Sequence, residues 1–110
     1  MFHMLSCFDL DPGADIEVFR ADYLEFVAQM KSIDLVESTG PIGIRQNDTP
    51  MDTDDERGQE YFVIMNFRDR EQVDAAYAHI ESHKEPGEVV HTSIYSKARN
   101  PIFICWQDME

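Results

Sequence analysis

The chain has four histidines, two cysteines and four tyrosines with which to move protons or hold a polar ligand. Three of these groups, His3, His91 and Tyr95, are candidate catalytic residues, and Cys7 is a candidate ligand-binding residue. Residues 2–10 and 89–96 both read as strands, and all four residues occupy odd positions in them. If the two segments pair antiparallel, His3 lies near Tyr95 and Cys7 near His91, on one sheet face. Such a cluster would supply a proton acceptor, a donor and an orienting hydroxyl. The expectation depends on register, because a slip of one residue moves a side chain to the opposite face. The plainer reading is that these groups satisfy one another's hydrogen bonds at an interface. A Cys7–His91 nucleophilic dyad lacks a third, orienting group, and strand cysteines are usually buried and inert.

Other groups offer weaker chemistry. His79 and His83 are four apart on a predicted helix, a spacing that can hold a metal. They do not make the His-Glu-x-x-His pattern, and a place near a helix C-terminus suits an imidazole without any metal. Arg20 and Arg45 are scarce cations that can pair with an anionic ligand or, more simply, with neighbouring carboxylates. Tyr23 and Trp106 join Cys7 and Arg20 as candidate ligand-binding residues. The acidic segment 47–59 fails as a calcium loop. Counted from Asp52, Arg57 stands where glycine is needed and Val63 where the bidentate glutamate belongs; counted from Asp48, Gln59 takes that last place. It reads as a solvated, mobile loop. No metal site and no cofactor are expected.

The elements that must position these groups follow from periodicity. In residues 2–10 the even positions Phe2, Met4, Ser6, Phe8 and Leu10, nearly all apolar, form the core-facing set. Asp11-Pro12-Gly13 is a turn. Asp15 caps a helix to about Lys31, with Ile16, Phe19, Tyr23, Phe26, Val27 and Met30 on one stripe. A second strand over 35–46 is broken at Gly40-Pro41, which places it at a sheet edge. Tyr61–Phe67 is apolar on both faces, as a fully covered strand is. Asp69 and Gln72 form a capping box for a second helix that buries Val73, Ala76, Tyr77 and Ile80. A strand over 89–96 and a short terminal strand over 101–107 complete the chain.

Composition narrows the classes. The 110 residues suit one domain, spanning 1–110. A net charge of −13, from 22 acids and 9 bases, repels phosphate backbones and anionic lipid, so neither nucleic acid nor a membrane is an expected partner. Phe2–Phe8 is too short an apolar run for a signal peptide, and the cysteines show no redox spacing; a cytoplasmic location is the expectation.

The order strand–helix–strand–strand–helix–strand is the split βαβ arrangement of ferredoxin-like α+β domains. Both helices then cover one face of an antiparallel sheet, while Tyr61–Phe67 demands cover on two. A second copy packed sheet against sheet is the economical solution. The terminal strand either crosses to that copy or folds back on its own sheet edge. In this order the chain resembles the dimeric α+β barrel superfamily, which includes antibiotic-biosynthesis monooxygenases, EthD-like proteins and stress-responsive barrel proteins. Phe19-Arg20-Ala21-Asp22-Tyr23 is similar to the first-helix pattern of EthD-like proteins, although no histidine follows. The His3–Phe8 interval is one residue longer than the His-to-Phe interval of stress-responsive barrels. The resemblance implies a homodimer with a pocket between sheet and helices. Two functions stay open: a cofactor-independent enzyme of monooxygenase or isomerase type acting on a small organic molecule, and a non-catalytic ligand-binding or stress-related homodimer.

Overall fold

A computed structural model describes all residues from 1 to 110. The strands are β1 (Phe2–Leu10), β2 (Ser38–Thr39), β3 (Gly43–Ile44), β4 (Tyr61–Phe67) and β5 (Ala98–Gln107); the helices are α1 (Ile16–Ser32), α2 (Arg70–Glu81) and α3 (Glu88–Lys97). Every strand pairing is antiparallel. The sheet runs β2-β4-β1-β5, with β3 also on β4. β2 and β3 are the two halves of the edge strand that the Gly40-Pro41 break predicts. The molecule is a slab only 19 Å in its short dimension. That is the thickness of one helical layer on one sheet.

The core lies between these layers. Phe19, Tyr23, Phe26, Val27 and Met30 form the buried stripe of α1, which starts where the Asp15 carboxylate accepts from the Glu17 amide at 2.8 Å. They meet Phe8, Val63, Met65 and Phe67, with Phe2 and Met4 packed alongside. At the start of α2, Asp69 accepts from the Gln72 amide and Gln72 accepts from the Arg68 amide, a capping box shifted by one residue. Val73, Ala76 and Ile80 turn inward as expected. Tyr77 does not: it is 67% exposed, because a cavity rather than core atoms lies beside it.

The main correction concerns residues 89–96. They form most of α3, not a strand. Gly87 holds φ at +105°, which a residue with a Cβ resists, and a Cβ there would meet Met30 Sδ at 3.3 Å. The Glu85 carboxylate accepts from the Gly87 and Val89 amides at 2.9 and 2.8 Å, giving the new helix an anionic cap. The fourth strand of the ferredoxin-like order is therefore β5, paired along its length with β1 of its own chain. The run expected to be a short addition is a full member of the sheet.

Candidate functional site

Between the helices and the sheet lies an apolar space in two chambers. The inner one, about 110 Å³, is walled by Phe8, Phe19, Tyr23 and Val63. The outer one, about 530 Å³, runs toward Met30, Phe67, Ala76 and Ile80. Both chambers share Met4, Phe26, Met65, His91, Tyr95 and Phe103, so His91 and Tyr95 stand where they meet. The larger volume is in the range, roughly 300–1,000 Å³, that holds small organic ligands.

α3 positions both polar groups. Its Val90 and Ile94 pack on the core, and one residue further along each turn come His91 and Tyr95. α3 is tied to α1 by Ser93 and Lys97, which both donate to the Asp22 carboxylate, at 3.3 and 3.2 Å. The His91 ring lies 5.2 Å from the Phe26 ring and stacks at 6.1 Å on Tyr95. Burial pushes the His91 pKa down, outweighing the opposite pull of Glu88, and His83 adds a smaller repulsion. A neutral imidazole with no hydrogen-bond partner inside the chain can accept a proton or a hydrogen bond from a ligand. Tyr95 is 62% exposed and stands at the mouth, within reach of solvent and ligand alike.

Tyr23 lines the inner chamber, and burial pushes its pKa up to about 12, so its hydroxyl stays protonated. The Thr39 hydroxyl donates to the Gly40 carbonyl at 2.8 Å, and Tyr23 therefore donates to Thr39 at 2.7 Å. Tyr23 is committed to holding α1 against β2.

The predicted cluster of His3, Cys7, His91 and Tyr95 does not form. His91 and Tyr95 come together, but on a helix; His3 and Cys7 belong to the opposite, open sheet face. The register puts His3 against Asn66 on one side and Trp106 on the other. Asn66 Oδ1 lies 2.6 Å from His3 Nδ1 and Asp108 Oδ1 lies 2.7 Å from Nε2. Asn66 Nδ2 donates to Ser38, which fixes its oxygen as an acceptor. With acceptors at both nitrogens, the His3 pKa is raised, first by the Asn66 bond and then by Asp108. The Trp106 ring lies tilted against this imidazole at 5.2 Å and is absent from the cavity wall. Cys7 borders the inner chamber, but strand alternation puts its thiol on the open face, and it is 2% exposed. Burial raises its pKa more than Arg57 and Arg45 lower it. Arg20 lies exposed on α1, 3.6 Å from Glu17, and away from the cavity.

Segment 47–59 folds against Arg45. Arg45, with a side chain only 10% exposed, makes a two-pronged pair with Asp52 at 2.8 Å for each bond, and also donates to the Asp54 and Arg57 carbonyls. His79 and His83 do not share a site. His79 lies 2.7 Å from the Pro86 carbonyl, fastening the end of α2, while His83 pairs with Glu88 at 3.2 Å. The wall also includes Ser6, Cys105, Tyr77 and Glu81, none of which the sequence singled out for this role. The signal for Ser6 and Cys105 was strand parity with Met4 and Phe103. For Tyr77 and Glu81 it was the four-residue step along one helix face.

No protein-family model and no curated protein sequence matches the chain. Solved structures do. A protein of Arabidopsis thaliana, At3g17210, matches with TM-score 0.72 at 13% identity, over 100% of this chain and 97% of its own. A variant of SnoaB, a cofactor-independent oxygenase from Streptomyces nogalater, matches with TM-score 0.65 at 13% identity, over 99% and 93%. A dimeric protein of unknown function and ferredoxin-like fold from Bacteroides fragilis matches with TM-score 0.57 at 10% identity, over 97% and 95%. With the antiparallel sheet β2-β4-β1-β5 and the helices that follow β1 and β4, these likenesses show that the chain has a ferredoxin-like α+β fold.

Proposed function

We propose that the chain is a small homodimeric enzyme that binds an apolar organic molecule between sheet and helices and takes a proton from it with His91. The observation that carries this reading is the neutral His91 imidazole, free of hydrogen bonds, facing a cavity whose wall is mostly apolar. Tyr95, one helical turn on, orients or protonates the ligand, and side chains alone supply the chemistry, as in monooxygenase or isomerase reactions that need no cofactor. The likeness to SnoaB, itself a cofactor-independent oxygenase, agrees with this. The homodimer rests on the open face, where Leu5, Phe62, Ile64, Ile102, Ile104 and Trp106 share one side of β1, β4 and β5. The Bacteroides protein of the same fold is dimeric. The free thiols Cys7 and Cys105 suit a reducing compartment, and the cytoplasm is the proposed location.

A second reading, a ligand-binding or stress-related dimer without catalysis, is favoured by the exposure of Tyr95 and the lack of any group orienting His91. One probe separates the two. 2-Tetralone is neutral and bicyclic and carries acidic C–H groups. Binding by calorimetry together with faster deuterium exchange of its α-protons, abolished in His91→Ala and weakened in Tyr95→Phe, supports the enzyme. Binding without faster exchange selects the second reading. Equal exchange in the wild type and His91→Ala overturns the proposed role of His91.

A further inference from the structure

The two chambers are lined by no lysine and no arginine. With His91 neutral, Glu81, at the C-terminal end of α2, is the one charged side chain in their wall. It has no basic partner: the nearby pair is His83 with Glu88, at 3.2 Å. The Glu81 carboxylate stands beside the Tyr77 hydroxyl and holds that phenol above its ordinary value. The remaining wall is apolar apart from Ser6, Tyr23, His91 and Tyr95. An anionic headgroup entering here would meet a carboxylate, no counter-ion and the field of a chain with net charge −13. A carboxylate, phosphate or phosphorylated carrier is therefore disfavoured, whereas an ammonium finds at the rim a carboxylate with no cation of its own, and an apolar cavity behind it.

Building on the pocket reading above, we infer that Glu81 selects the charge of the ligand: the cavity takes an apolar molecule bearing a protonated amine, which docks on Glu81 while its hydrocarbon body fills the outer chamber. Neutral analogues bind more weakly, and anionic ones are rejected. Because Glu81 is exposed, the gain is moderate and sensitive to salt.

Three probes sharing one ring system test this by calorimetry on the intact protein: 2-naphthylmethylamine, 2-naphthylmethanol and 2-naphthoate. The amine is expected to bind about threefold to tenfold tighter than the alcohol, with the carboxylate weakest. Glu81→Gln brings the amine to the level of the alcohol and leaves the alcohol unchanged. Glu71→Gln makes the same change of net charge at the other end of α2, about 15 Å away at 1.5 Å per residue, and keeps the preference. Equal binding of amine and alcohol by the wild type overturns the inference. So does a preference that survives Glu81→Gln, or one that Glu71→Gln removes equally. If the alcohol binds and the amine gains nothing, only the role of Glu81 falls. If none of the three binds, the pocket reading falls with it.

Discussion

On the helix side of the sheet, Met4, Val63 and Met65 meet the aromatic stripe of α1 and then a cavity. On the other side, Leu5, Ile64 and Ile104 share the open face of β1, β4 and β5. The side-chain chemistry is nearly the same, yet Met65 is 6% exposed and Ile64, its neighbour in sequence, 37%. The two faces also treat their histidines in opposite ways. His91 sits among rings without a partner and loses basicity; His3 sits between two acceptors and gains it. Burial without hydrogen bonds favours the neutral imidazole, whereas flanking acceptors favour the cation. One face is thus suited to accepting a proton, the other to carrying a fixed charge beside an apolar patch. Only the second arrangement leaves surface for another protein.

The contrast can be broken most strongly through the core. Met30 is 1% exposed, and Met30→Ala should cost about 2–5 kcal/mol of stability in denaturant unfolding. Ile104, at 43% exposure, should behave differently: Ile104→Asp leaves the unfolding midpoint of the protomer nearly unchanged. It should weaken the proposed dimer by on the order of 2 kcal/mol, roughly thirtyfold in Kd, measured by light scattering across a dilution series. A wild type that remains monomeric at high concentration would remove the partner from the open face altogether. Tyr23→Phe, which leaves Thr39 without its donor, should cost about 1 kcal/mol.

The smallest effects, and the most direct comparison, come from the two imidazoles. His91 has a folded pKa below the ordinary 6.5, so the unfolded chain takes up that proton first. Its contribution to stability is therefore lost as pH falls below 6.5 toward the folded value, and His91→Asn should flatten that slope. His3 has a folded pKa above 6.5; its contribution is complete below 6.5 and is lost as pH rises through the folded value. His3→Gln should flatten the profile on that alkaline side. Urea midpoints against pH for the wild type and both variants check the two signs. Identical slopes in all three would contradict the opposed environments.

Much of the fold was legible because its signals were local. The α1 stripe, the Asp15 and Asp69 caps and the break at Gly40-Pro41 each need only a few neighbouring residues, and the two-faced apolar run of β4 implied cover on both sides. The candidate site was legible only in part. His91 and Tyr95 are four apart, a step that keeps two side chains on one face of a strand and also, nearly, of a helix. Their proximity therefore survived a wrong reading of their secondary structure, while the expected approach of His3 and Cys7 did not. Val89, Val90, Thr92 and Ile94 are β-branched and favour a strand by propensity. What overrode them lies outside that run: the left-handed Gly87, the Glu85 carboxylate on the first free amides, and the contact with α1. The sequence by itself determined which faces are apolar, where the helices begin, and that the sheet needs cover twice over. Only the tertiary structure decided which strand lies beside β1, which histidine loses its partners and which gains them, and where a cavity opens. Those outcomes depend on register and packing between segments as far apart in the chain as Phe2 and Gln107, and no local pattern of residues carries that information.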